Sequence, residues 1–336
     1  MKTRTLLHLS SALGLILTAN TQAAVQLSGA GASFPAPLYQ RWASEYNKAN
    51  PDVQINYQSV GSGAGIKQFT AGTVDFAGSD AAMSDAEIAA VSRGAVMIPA
   101  TAGSIVIAYN LPGIADLKLS RDAYVGIFMG KITNWNDPAI ARSNPDAKLP
   151  DLPISVAYRS DGSGTTFVFT KHLAAMSADF AKDIGSDKSV EWPVGAGGKG
   201  NDGVTALIKQ TPGTVGYVEF GYAANNGLAM ATLENKSGKF IKPDEKSGAV
   251  TLAGLELPAN LRAWPEDPAA ETAYPIATFT WLLLYGKYDD AAKLDALKGF
   301  VKWGLTDGQK LAPSLGYIPL PESVVAKDLA ALETVK

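Results

Sequence analysis

Three times along this 336-residue chain, a short β-type run ends in a glycine-rich turn that opens a helical pattern. The run 25–27 passes through Gly29-Ala30-Gly31-Ala32-Ser33-Phe34 into a stretch over 35–47 that carries Leu38, Trp42 and Tyr46 on one face. The run 53–57 passes through Gly61-Ser62-Gly63-Ala64-Gly65 into a helix over 66–70. The run 154–158 passes through Asp161-Gly162-Ser163-Gly164-Thr165-Thr166 into a helix reaching Leu173. Further strand-length runs lie at 74–77 and 105–109, and 279–285 is apolar but no longer than a strand. Strands alternating with helices predict an α/β architecture with largely parallel sheets. Glycines let the backbone approach a ligand, and the first turn of a helix exposes N–H groups carrying partial positive charge. One such turn reads as ordinary capping chemistry. Three of them, with Arg159 just before the third, point to a bound anion.

Composition removes most other chemistry. There is no Cys, which excludes disulfides, thiolate nucleophiles and Cys metal sites. The first 23 residues place Lys2 and Arg4 ahead of an apolar stretch and end in Thr21-Gln22-Ala23, the layout of a secretory signal peptide. With no Cys after the apolar run, no lipid anchor is expected, and the secreted chain starts near Ala24. Loss of Lys2 and Arg4 takes the net charge from −3 to −5, which disfavours nucleic acid and anionic membranes as partners. His8 leaves with the leader, so His172 is the only histidine remaining. A two-His metal site is then impossible, and no metal or cofactor is expected. His172 itself reads as a packing or solvent-facing residue, and Trp135, Trp192 and Trp264 read as packing residues. Gly195-Ala196-Gly197-Gly198-Lys199-Gly200 matches a dinucleotide fingerprint by letter, but Trp192-Pro193 precedes it and it reads as a structural glycine loop.

The segments Gly29-Ala30-Gly31-Ala32-Ser33-Phe34-Pro35-Ala36-Pro37, Val74-Asp75-Phe76-Ala77-Gly78-Ser79-Asp80 and Arg159-Ser160-Asp161-Gly162-Ser163-Gly164-Thr165-Thr166-Phe167 resemble the signatures of the phosphate-binding proteins of phosphate ABC transporters. The stretches 126–135, 192–203 and 213–219 agree, and the likeness weakens between about 230 and 270. The resemblance implies a two-lobed periplasmic-binding-protein fold of type II with the ligand in the inter-lobe cleft. It implies a monomer that captures inorganic phosphate in the periplasm and passes it to membrane permease subunits. Phosphate oxygens would be held by backbone N–H and hydroxyl groups of Ser33, Ser62, Ser163 and Thr165, and by the N–H groups of Phe34 and Gly164. Arg159 would supply the one full positive charge, steadied by Asp161. Ser33 stands where many relatives carry Thr, which keeps the hydroxyl, and Gly63-Ala64-Gly65 departs slightly from the usual run.

Asp80 is the odd member, a carboxylate facing an anion. Phosphate near neutral pH retains a proton that Asp80 can accept, whereas sulfate has none to give and meets an unpaired, repelling charge. Leaving a buried polar group unpaired rejects an analogue by about 10⁴-fold or more. The competing reading makes Asp80 the N-cap of a helix over 81–90. About 313 secreted residues predict two domains. Lobe one is expected to hold 24–101 with 275–336 and lobe two 102–274, with crossings near Thr101-Ala102-Gly103 and Tyr274-Pro275-Ile276. Two rivals stand beside this reading: a secreted phosphatase, disfavoured by a single histidine and no metal-binding carboxylate cluster, and a receptor for another oxyanion or an adhesin of the same fold.

Overall fold

A computed structural model describes residues 24–336; the expected leader, 1–23, lies outside the described residues. Twelve strands are present among them: β1 Val25–Gly31, β2 Val53–Ser59, β3 Phe76–Ser79, β4 Ala95–Tyr109, β5 Lys118–Leu119, β6 Ser155–Arg159, β7 Ala196–Gly198, β8 Thr214–Glu219, β9 Ala229–Met230, β10 Thr232–Glu234, β11 Phe240–Ile241 and β12 Ala277–Tyr285. Nine join one sheet in the order β2-β1-β3-β12-β4-β8-β6-β7, with β9 also on β4; β11-β10-β5 form a small second sheet. The main sheet has two halves. In one, β1 runs parallel to β2 and β3. In the other, β6 runs parallel to β7 and β8. Antiparallel pairing of β12 with β3 and β4, and of β4 with β8, joins them. Within the main sheet, parallel pairing is therefore confined to the two outer triplets, and the centre is antiparallel.

β4 belongs to both halves. Its residues Ala95–Ser104 pair with β12 and Ile105–Tyr109 pair with β8. Only the second part reads as a strand in sequence, because Pro99 and Gly103 interrupt the first. The register shifts between Thr280 and Trp281, opposite Pro99 and Thr101, and a bulge of this kind is where a strand tolerates a proline. Every residue of β12 is buried, as is β4 from Met97 onward. Such continuous apolar strands are covered on both faces.

The helix Ala36–Ala49 buries Leu38, Tyr39, Trp42 and Tyr46, the face its spacing predicts. It meets the helix Ala291–Leu305, whose Phe300 lies edge-on to Trp42 and Tyr46. The helix Ala291–Leu305 thus has one wet face and one buried face. In the other half, Phe128, Phe169 and Tyr217 cluster with Trp192. Trp135 is fully buried and donates to the Gly213 carbonyl at 2.9 Å. His172 is buried between the Tyr124 hydroxyl at 3.1 Å and the Glu266 carbonyl at 2.7 Å, and burial lowers its pKa to about 4. It is a packed, neutral residue. No helix among the described residues is long and apolar enough to cross a membrane.

Candidate functional site

Four strand–turn–helix units, two from each half of the sheet, deliver their turns to one buried cluster. β1 leads to Ser33 and Phe34, and β2 leads to Ser62, the first residue of the helix Ser62–Thr70. β6 ends at Arg159 and leads to Ser163, which caps the helix Gly164–Met176 by accepting from the Thr166 N–H at 3.0 Å. The fourth unit corrects the reading of the 195–200 glycines. Ala196–Gly198 is strand β7 and Gly200 begins the helix Gly200–Gln210, so this loop does join strand to helix. The sequence hides it because β7 is only three residues long and consists of small residues.

The two halves touch through this cluster. Ser62 Oγ accepts from the Gly164 N–H at 3.1 Å and from the Asp80 N–H at 3.3 Å. The Gly63 N–H donates to the Gly162 carbonyl at 2.8 Å. Ser33 Oγ accepts from Asn201, from the backbone N–H at 3.1 Å and from Nδ2 at 2.9 Å. This approach depends on Gly164, because a Cβ there would fall 2.5 Å from Ser62 Oγ and 2.7 Å from Asp80 Cβ. At Gly61, φ of 92° also favours glycine, and a side chain would strike the Asp161 carboxylate.

Arg159 and Asp161 form a two-pronged ion pair, Nε to Oδ1 at 2.8 Å and Nη2 to Oδ2 at 2.6 Å. The Arg159 side chain is 1% exposed and that of Asp161 is 12% exposed, so this pair is shielded from screening. Burial pushes the Asp161 carboxyl up, but Arg159 and the Gly200 N–H outweigh it and hold it below the usual range. The remaining guanidinium nitrogen, Nη1, donates to Thr165 Oγ1 at 3.3 Å. Tyr217 accepts from the Arg159 N–H at 3.2 Å and bonds Thr166 Oγ1 at 2.6 Å, fixing the end of β6 to the start of the helix.

Asp80 is 1% exposed and follows β3. It caps no helix: the next one, Asp85–Ala89, is capped by Ser84 in a capping box with Glu87. Its Oδ1 accepts from Thr280 at 2.8 Å and its Oδ2 from Thr165 at 3.4 Å. Burial raises its pKa to about 7 against the opposing pull of Thr280, Arg159 and Thr165. Ser33, Ser62, Asp80, Arg159, Ser163, Gly164 and Thr165 are thus linked through one another or through Asn201, all buried; Ser163 joins through its cap. Phe34 is buried beside them, its carbonyl accepting from Tyr317 at 2.6 Å.

Residue-by-residue reading of the sequence misses Asn201 and Thr280. Asn201 lies within the 192–203 likeness, and its Oδ1 accepts from the Glu219 N–H at 2.9 Å while its amide reaches Ser33. Thr280 sits in an apolar strand that carries no motif. Trp264, read as a packing residue, packs edge-on against Phe167 and also donates to the Asp80 carbonyl at 3.4 Å.

The family model for the PBP superfamily domain matches residues 18–307. The phosphate-binding protein PstS of Pasteurella multocida is 42% identical over 94% of this chain and 92% of its own length. The PstS protein of Methanocaldococcus jannaschii is 39% identical over 91% of this chain and 85% of its own length. The crystal structure of a phosphate-binding protein from Stenotrophomonas maltophilia superposes with a TM-score of 0.74 at 26% identity, covering 91% of this chain and 94% of that one. The four-turn cluster thus sits in a chain that belongs to the PstS family of phosphate-binding proteins, with the type II periplasmic-binding-protein fold.

Proposed function

We propose that this protein binds inorganic phosphate in the buried cluster between the two halves of its sheet and serves as the substrate-binding component of a phosphate ABC transporter. The observation that carries this reading is the convergence of the Ser33, Ser62 and Ser163 turns on one buried arginine and one buried aspartate. Each helix start offers N–H donors with partial positive charge, and the Ser and Thr hydroxyls add more. Arg159 contributes the full charge, and Asp161 keeps its fork aimed so that little ordering is left to do on binding. Asp80 accepts the proton that phosphate keeps and repels an anion that has none. Several charge-assisted hydrogen bonds at about 1.5–3 kcal/mol each supply the roughly −8 kcal/mol of micromolar binding after the cost of ordering.

The lobes in this reading are 24–101 with 275–336 and 102–274, and the pairing switch within β4 at Ser104 and Ile105 supports a crossing there. Ligand contacts from both sides favour the closed arrangement, which is domain closure of the hinge type. Membrane permease subunits recognise that closed form, and the protein works as a periplasmic monomer released from a cleaved leader. Titration calorimetry of ligand-stripped protein with phosphate tests the assignment. Saturable binding at micromolar concentration or below is expected; heats no larger than dilution from folded protein would overturn it.

A further inference from the structure

Asp80 is held from outside the four turns. Thr280 lies within β12, is fully buried, and donates its hydroxyl to Asp80 Oδ1 at 2.8 Å. β12 is paired on both sides, to β3 and to β4, so this donor is fixed and does not follow the carboxylate if it turns. The other oxygen, Oδ2, faces Thr165 on the opposite half. Near Thr280 and Asp80 lies the Tyr39 hydroxyl, buried and with no hydrogen-bond partner of its own among the described residues. The Asp80 backbone is held as well, its N–H by Ser62 and its carbonyl by Trp264.

We infer that Thr280 is a specificity-determining positioning residue: by occupying Oδ1, it fixes the Asp80 carboxylate in one orientation and leaves a single acceptor, Oδ2, to meet the hydroxyl of a protonated tetrahedral oxyanion. The inference rests on the phosphate reading above. A carboxylate in a desolvated site that loses a fixed donor has one cheap way to recover, which is to take up a proton. It then presents a donor, and a fully ionised oxyanion such as sulfate is no longer turned away. Burial already raises Asp80 to about 7, and Thr280 is the largest influence opposing that rise. The charged groups around Asp80 are Arg159, which favours its ionised form, and Asp161, which disfavours it. Glu219 is held well above the carboxylate range by burial, and Tyr39, Tyr57, Tyr222 and Tyr317 are pushed up, so the phenols stay neutral.

The test is competition of sulfate against labelled phosphate from about pH 6 to about pH 9. Wild type, Thr280→Val, Thr280→Ala, Thr280→Ser and Asp80→Asn are compared, and circular dichroism with a cooperative urea transition certifies the fold of each. Wild type is expected to admit sulfate only on the acid side. In the Val and Ala variants, sulfate should compete at about ten- to hundredfold lower concentration near neutrality, the worth of one hydrogen bond to a charged group. The pH at which sulfate is shut out should move upward, and Thr280→Ser should restore the wild-type profile. A Val or Ala profile matching wild type overturns the inference. If Asp80→Asn also rejects sulfate, the role given to Asp80 fails and the inference falls with it; if Asp80→Asn admits sulfate and the Thr280 variants do not, only the inference falls. Should both Val and Ala variants fail to fold, Thr280→Cys, which keeps a similar size but offers only a weak S–H donor, is expected to shift sulfate competition in the same direction, and an unshifted profile counts against the proposal.

Discussion

The two halves of the sheet bring opposite electrostatics to one small cluster. The β6–β7–β8 half supplies Arg159 and the helix beginning at Gly164, both favourable to any tetrahedral anion. The β1–β2–β3 half supplies Ser33, Ser62 and Asp80, and its only charged member in the cluster repels anions. In the proposed function, attraction on one side and rejection on the other would make the site strong and selective at once. A charge-matched cleft built from two copies of the first half would hold sulfate as well as phosphate. A cleft built from two copies of the second would hold neither. In the phosphate reading, selection requires both faces to reach the ligand together, and Ser62 with Gly164, and Gly63 with Gly162, do meet between the halves.

The largest way to break this division is Arg159→Ala. It removes the attracting charge and leaves the largely buried Asp161 carboxylate with only the Gly200 N–H as a partner. Phosphate affinity should fall about 10²–10³-fold or more, as for truncation of one partner of a buried charged pair. A loss under about tenfold in calorimetry would show that the helix N-termini alone carry the attraction.

The rejecting side has its own cost, visible without ligand. Asp80 has an ordinary value of 3.8 and is raised to about 7 by burial. A carboxyl raised on folding binds its proton more tightly in the native state. Its stabilising contribution is complete below about pH 4 and is lost as pH rises through about 7. The full rise corresponds to about 4 kcal/mol. Urea unfolding of ligand-free protein should show wild type losing stability across that window, with the loss much reduced in Asp80→Asn. Parallel pH profiles for the two proteins would contradict the assignment of this cost to Asp80.

Gly164→Ala tests whether the halves must close. A Cβ 2.5 Å from Ser62 Oγ cannot be accommodated without separating them. Phosphate affinity should fall about tenfold or more, carried by faster release in stopped-flow measurements. Unchanged release would mean that the ligand-bound cleft is wider at this point. The smallest effect belongs to the cleft rim, where Lys188 and Glu87 pair across the halves at 3.0 Å with side chains 25% and 29% exposed. Such partly exposed pairs are worth about 0.2–1 kcal/mol. Lys188→Ala should weaken phosphate binding no more than about fivefold, an effect that shrinks further in added salt.

Much of this molecule is legible in its amino-acid sequence alone, and the residues that escape such a reading do so for physical reasons. Ser33, Ser62, Ser163 and Arg159 announce themselves because the chemistry of a turn after a strand needs Gly, Ser and Thr at fixed places. The face of the helix Ala36–Ala49 announces itself through its spacing. Thr280 does not, because it reaches Asp80 only through a strand pairing with β3, just over two hundred residues earlier in the chain, and a Thr in an apolar strand is ordinary. Asn201 is hidden by glycines that resemble a loop, since a three-residue strand has no alternation to detect. The first part of β4 is obscured by Pro99, which is tolerated only because the β12 register shifts opposite it. Local signals identify the turns; pairing across the sheet decides which distant residues complete them.

The central claim is that Asp80 rejects while the other half attracts. It is tested most directly by calorimetric titration of wild type and Asp80→Asn with phosphate and with sulfate, above neutral pH. The account predicts that wild type binds phosphate and is silent to sulfate, and that Asp80→Asn binds both within about tenfold of one another, because its amide donates where the carboxylate repelled. An Asp80→Asn protein that binds phosphate and still excludes sulfate would contradict it.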